Sequence, residues 1–144
     1  MRLNLLGTHL YNHIKEKKFL LIYFPLTLYW IVLFIATSLP GEYLPFLVLK
    51  LSDKIEHLVA YFILAILFNL MLHFQTKVEK LSKNSSLSTI FILLFYAVID
   101  ELHQIFIPNR YYDILDLLAD FIGIILGVTV VFLFIKNYEL NKNE

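Results

Sequence analysis

The stretch Ser88-Thr-Ile-Phe-Ile-Leu-Leu-Phe-Tyr-Ala-Val-Ile99-Asp100-Glu101-Leu102-His103-Gln104 begins as an apolar run suited to a bilayer interior and ends in four polar side chains. The length of the run and its lack of charge up to Ile99 predict a membrane-crossing helix that continues through Ile105, Phe106 and Ile107 until Pro108 stops it. A carboxylate at membrane depth costs about 2.5–3.5 kcal/mol even on the lenient insertion scale. Asp100 and Glu101 are therefore expected to face protein, water or a ligand.

The rest of the chain is of the same kind. Of its 144 residues, 59% are hydrophobic, 16% aromatic and only 17% charged, and the mean hydropathy of +0.71 is above what a soluble surface tolerates. Four apolar runs, at 19–38, 58–74, 87–107 and 117–135, each approach the roughly 17–25 residues that a helix needs to cross the hydrocarbon. The expected fold class is all-α. We expect one domain over residues 1–144, an integral membrane bundle of four transmembrane helices spanning about 19–38, 55–74, 87–107 and 116–135. An interfacial helix over 1–18 precedes them, with Leu3, Leu6, Leu10 and Ile14 on one face ahead of Lys15, Lys17 and Lys18. The small residues Ala36-Thr37-Ser38 resemble a cleavage site, but the stretch before them is long for a signal-peptide core and reads as a retained span. There is no cysteine, which excludes disulfides, thiolate metal sites and thiol nucleophiles.

Cations set the expected orientation. Arg2, Lys15, Lys17, Lys18, Lys77, Lys80, Lys83, Lys136 and Lys142 flank one set of helix ends, against Lys50, Lys54 and Arg110 at the other, so both termini are expected in the cytoplasm. The acids Glu42, Asp53, Glu56, Asp100, Glu101, Asp113, Asp116 and Asp120 lie toward the outer ends, an asymmetry that topology does not require. Surface solvation suffices for Glu42 and Asp113. Residues 75–86 (QTKVEKLSKNSS) read as a cytoplasmic loop, and Phe46 to Leu51 as a segment lying in the interface or dipping into it. The short turn 108–113 makes the third and fourth spans antiparallel neighbours.

With this topology three clusters share one membrane level. Asp53, His57 and Tyr61 are spaced i, i+4, i+8 on one face of the second span; Asp100 and His103 are i, i+3 on the third, with Gln104 a turn above Asp100. Asp116, Asp120, Gly123 and Gly127 form a stripe on the fourth. The arrangement describes a polar pocket opening outward, lined by Asp53, Lys54, His57, Asp100, Glu101, His103, Gln104, Arg110, Asp116 and Asp120. Lys54 and Arg110 are the evident cations within reach of five carboxylates, so protonated acids, charged His57 and His103, or a bound cation must balance the site. The bland reading of Asp100 and Glu101 is a structural ion pair with Arg110 or Lys54. For Ala119, Gly123 and Gly127 the packing reading prevails, since small residues let membrane helices approach closely. His9, His13 and His73 are given no role.

Ser52-Asp53-Lys54 with His57 and Tyr61, Asp100-Glu101-x-x-Gln104, Pro108-x-Arg110, and Asp116 with Gly123 and Gly127 together resemble the VanZ-like family of small bacterial membrane proteins, over about residues 19–135. The family's namesake is associated with resistance to the glycopeptide antibiotic teicoplanin. Many members have Asn where this chain has Asp120, which adds a negative charge here. The resemblance implies a multi-pass protein of the bacterial cell membrane, its pocket toward the outer face, and brings no established reaction with it.

The reading that follows is a cell-envelope protein whose pocket engages a lipid-linked or peptidoglycan-related ligand and affects glycopeptide sensitivity, with Arg110 meeting anionic groups and Asp116 orienting them. Whether it binds or catalyses stays open. The alternative is a metal-assisted hydrolase or transferase acting on an envelope lipid phosphate, because Asp100-x-x-His103 and Asp53-x-x-x-His57 each offer a carboxylate and an imidazole on one helix face. No known metalloenzyme signature is matched; a divalent metal is the one cofactor the pattern accommodates. A proton-coupled transporter is a third reading, weakened by inner helix halves that read as lacking polar side chains. The bilayer is the expected partner, nucleic acid is not, and the oligomeric state is open.

Overall fold

The computed structural model describes residues 2–40 and 53–142. Glu42, Lys50, Ser52 and the segment Phe46 to Leu51 lie outside the described residues. The described chain is helical throughout: α1 (Arg2–Glu16), a π-helical turn (Phe19–Tyr23) running into α2 (Phe24–Ser38), α3 (Asp53–Phe74), the short α4 (Glu79–Lys83), α5 (Ser85–Gln104) and α6 (Ile114–Lys142). The helices Phe19–Ser38, α3, α5 and α6 are long and apolar enough to cross a membrane. Phe19, Phe91, Phe95, Leu126 and Leu133 stand exposed along them, as side chains meeting lipid tails would.

Local chemistry explains the element boundaries. Pro25 brings no amide hydrogen to the helix, and the widened turn lies just before it, with the Phe24 amide donating to the Phe19 carbonyl five residues back. Leu39 precedes Pro40 and is extended at φ −82°, ψ 138°, ending α2. The third span stops at Gln104, three residues earlier than the apolar run suggests. Beyond it Phe106 and Ile107 donate to His103 and Gln104 at 3.0 Å, and Asn109 takes a positive φ of 60°. Asp100 thus sits about one turn inside the helix end, shallower than a helix reaching Ile107 would put it. The polar stretch expected as a loop contains α4, and the last span continues seven residues past Ile135 to Lys142.

Lipid offers no hydrophobic drive for one apolar helix to join another, so close packing and interhelical hydrogen bonds matter more. The most extensive contact is α3 against α6. It runs through Gly123, whose missing Cβ makes room for the Leu58 carbonyl, and Gly127, where a Cβ would fall 2.6 Å from the Phe62 oxygen and 2.9 Å from Ala65 Cβ. Tyr61, Leu64, Ala65, Leu93, Ala97, Ile124 and Val128 fill the centre. Tyr29 ties α2 to α3 by donating its hydroxyl to the Ala60 carbonyl at 3.0 Å.

α1 packs on α6 at the end of the bundle away from Asp53 and Asp120, with the Tyr11 ring stacked 3.6 Å from that of Tyr138. His73 has a structural task there, bonded to the Tyr11 hydroxyl at 2.9 Å. The inner halves are not devoid of polar groups either: Asn69 and Thr89 are wholly buried, and Asn69 reaches Ser86 Oγ at 3.5 Å.

Candidate functional site

The end of α2, the start of α3, the end of α5, the following turn and the start of α6 meet at one end of the bundle. Asp113 sets the start of α6. Its side chain accepts the Leu115 amide at 2.8 Å and its carbonyl accepts the Asp116 amide at 3.0 Å, which makes it the helix cap. From there Asp116 and Asp120, one turn apart, point toward α3 and are buried. On α3, Lys54 and His57 face them. The close approach permitted by Gly123 keeps these two rows within reach of each other.

Lys54 lies among three carboxylates, hydrogen-bonded to Asp113 and Asp116 and 3.4 Å from Asp53. Its ammonium holds the Asp113 carboxyl below the usual carboxylate range. Deeper in, His57 Nδ1 is 3.0 Å from Asp120 Oδ1 and 3.9 Å from Glu101 Oε1, while Nε2 is 4.0 Å from Asp116 Oδ2. Glu101 is 1% exposed and Asp120 0%. The other Glu101 oxygen accepts the Asp113 amide at 3.4 Å; Glu101 Oε1 and Asp120 Oδ2 are buried with no hydrogen-bond donor. Asp100 is also buried and takes the Tyr61 hydroxyl at 3.5 Å, with the Thr37 hydroxyl beside it.

Arg110 serves the fold at this end. It donates to the Ala36 carbonyl at 3.1 Å and the Leu39 carbonyl at 3.4 Å, capping α2, and to Gln104 Oε1 at 3.1 Å. The expected structural pairing of Asp100 and Glu101 with Arg110 or Lys54 is therefore not what forms: neither cation contacts them, and the nearest basic group to Glu101 is His57.

Two concavities open here. One, of about 320 Å³, is bounded by Asp53, Gln104, Asn109, Arg110, Tyr111, Asp113 and Asp116. The other, of about 170 Å³, has walls from Leu33, Ala36, Ala60 and Tyr61 with Thr37, His57 and Asp100 inside. They share Asp53 and Arg110. Glu101 and Asp120 lie behind His57, lining neither.

This arrangement of Asp53, Lys54, His57 and Tyr61 against Asp100, Glu101 and Gln104, then Arg110 and Asp116, is the spatial form of the motif read from the sequence. A family profile described as VanZ/LLP1 matches residues 4–135. The chain belongs to the VanZ/LLP1 family. No curated protein and no solved structure matches it.

Of the ten site residues read from the sequence, nine meet in this cluster or its two concavities, and His103, at the same end, turns its ring away from them. Its ring stacks on Phe34 of α2, 5.5 Å between centroids, and its Nδ1 is buried without a partner. The i, i+3 spacing keeps it near Asp100 but sets its ring against α2. Asp113, assigned in the sequence to surface solvation, belongs to the cluster through both its carboxylate and its amide. An Asp opening an apolar helical run is the signal that would have found the cap; its pairing with Lys54, 59 residues away in sequence, carried no local signal.

Proposed function

We propose that this VanZ/LLP1 family protein lies in the bacterial cell membrane with its polar end outward. There it engages a lipid-linked or peptidoglycan-related ligand and so alters sensitivity to glycopeptides such as teicoplanin. One observation carries the reading: a polar concavity at the helix ends adjoins a smaller one with apolar walls, and both border Arg110 and Asp53. A charged or hydroxylated headgroup fits the first and an apolar chain the second, which suits an amphiphile entering from the membrane surface. Arg110 already spends donors on Ala36, Leu39 and Gln104, which fixes its guanidinium at the shared rim where an anionic group would meet it.

The test is teicoplanin sensitivity of cells carrying wild type, Asp53→Asn or Arg110→Lys, with membrane protein level measured in parallel. Asp53 is at the exposed edge, so its variant should keep the fold. Wild type is expected to shift sensitivity and each variant to lose that shift at unchanged protein level. Sensitivity unaffected by wild type, or affected equally by all three, would overturn the reading.

A further inference from the structure

We propose that His57, Glu101 and Asp120 bind a divalent transition-metal ion, Zn²⁺ or Mn²⁺, at the buried centre of the cluster. The proposal stands whether or not the concavities above engage an envelope ligand. One nitrogen and two carboxylate oxygens from these residues all lie within 4.8 Å of one another. Ligands about 2.0–2.2 Å from one tetrahedrally bound ion lie roughly 3.3–3.6 Å apart. The 3.0 Å and 3.9 Å spacings of His57 Nδ1 from Asp120 Oδ1 and Glu101 Oε1 bracket that range, and the two carboxylates must draw together to close on the ion.

Each donor has its remaining valence directed. His57 Nδ1 faces Asp120 and Glu101, and its Nε2 is on the side of Asp116 Oδ2, 4.0 Å away. At 4.0 Å Asp116 does not yet hydrogen-bond Nε2, but it is the carboxylate placed to take that N–H when Nδ1 coordinates, in the carboxylate–histidine–metal order. Lys54 grips Asp116 and holds the orienting carboxylate in place. Glu101 uses Oε2 on the Asp113 amide, so Oε1 is left toward His57.

The second and independent observation is the pair of unpartnered oxygens. Glu101 Oε1 and Asp120 Oδ2 are buried with no donor, on residues 1% and 0% exposed that both approach His57 Nδ1, Glu101 through this same oxygen at 3.9 Å and Asp120 through Oδ1 at 3.0 Å. A buried carboxylate oxygen without a donor is costly, and the described cations near the cluster are committed elsewhere, Lys54 to Asp113 and Asp116, Arg110 to Gln104 and backbone carbonyls. A divalent ion satisfies both oxygens at once and offsets their charge. The imidazole favours Zn²⁺ over Ca²⁺ or Mg²⁺, and the two carboxylates also admit Mn²⁺. The outer grouping of Asp53, His57 and Asp116 is the weaker candidate, because Asp53 is exposed and Lys54 already neutralises Asp116.

The test uses the full chain in detergent, stripped with EDTA, desalted and titrated with Zn²⁺ alone or Mn²⁺ alone. Wild type is expected to retain one equivalent after desalting. Glu101→Gln and Asp120→Asn should lose retention, and Asp116→Asn should weaken binding about 10-fold through the lost orientation of His57. Pulsed electron paramagnetic resonance of the Mn²⁺-loaded wild type should show coupling to one imidazole nitrogen, a readout that does not depend on any variant folding. Retention well below one equivalent in wild type, or bound Mn²⁺ without nitrogen coupling, would overturn the proposal. So would loss in Asp53→Asn with retention in Glu101→Gln, which would move the ion to the outer grouping.

Discussion

Gly123→Ala tests whether the site depends on the closeness of α3 and α6. Alanine improves the intrinsic preference for helix by about 0.8–1 kcal/mol. Against this, the new Cβ would overlap the Leu58 carbonyl oxygen and come within 3.0 Å of the Phe62 amide nitrogen and 3.2 Å of the Leu58 carbonyl carbon. All three are main-chain atoms of a packed helix and cannot rotate away as a side chain tip would. Overpacking of this kind costs about 1–3 kcal/mol, and a rigid backbone neighbour places the cost toward the upper end. The net expectation is a loss of about 1–2 kcal/mol. Moving α3 outward would also separate His57 from Asp120, now 3.0 Å apart, because each lies within a turn of the contact. Thermal unfolding in detergent is the assay, with Zn²⁺ retention measured on the same sample. A Gly123→Ala protein that unfolds at or above the wild-type temperature and retains Zn²⁺ equally would refute the argument that this close approach builds the site.

Other predictions follow from the same geometry. Asp100→Asn and Glu101→Gln keep size and most hydrogen bonding; since neither carboxylate is paired with Lys54 or Arg110, metal-free protein should unfold no earlier than wild type, and earlier unfolding by several degrees would restore the structural ion-pair reading. Lys54→Met should let the Asp113 carboxyl titrate closer to its ordinary range. The depressed folded value means that the wild-type stability gained through this pair is present above the unfolded carboxylate value of about 3.9 and lost as pH falls through the folded one. The gap between wild-type and variant unfolding temperatures should therefore narrow below about pH 4, and a gap independent of pH would contradict the pairing. Arg110→Ala should fray the end of α2 by freeing the Ala36 and Leu39 carbonyls, seen as faster amide exchange over its last turn, Ile35 to Ser38; unchanged exchange would show that the cap is dispensable. Because the chain has no cysteine, single cysteines at Lys80 and Lys142 give a clean topology test. Neither is expected to react with impermeant reagents outside intact cells, and labelling of either would turn the polar end inward.

Much of the fold was legible in the linear chain because membrane insertion reads local properties. Helix length, apolar run and the absence of charge are fixed within some twenty residues, and a bilayer permits little backbone but helix. The four spans and the small-residue stripe through Gly123 and Gly127 follow from such local rules. So did the suspicion of Asp100 and Glu101, since burying carboxylates at that depth demands a reason. Which groups meet was decided only by tertiary packing. Helix periodicity assigns a face but not the neighbour that face will find, so it could not say that Lys54 belongs to Asp113 and Asp116, that Arg110 closes α2, or that His103 turns to Phe34. Two oxygens left without donors beside His57 are likewise a property of three helices together, created by the approach of α3 to α6 and visible in none of them alone.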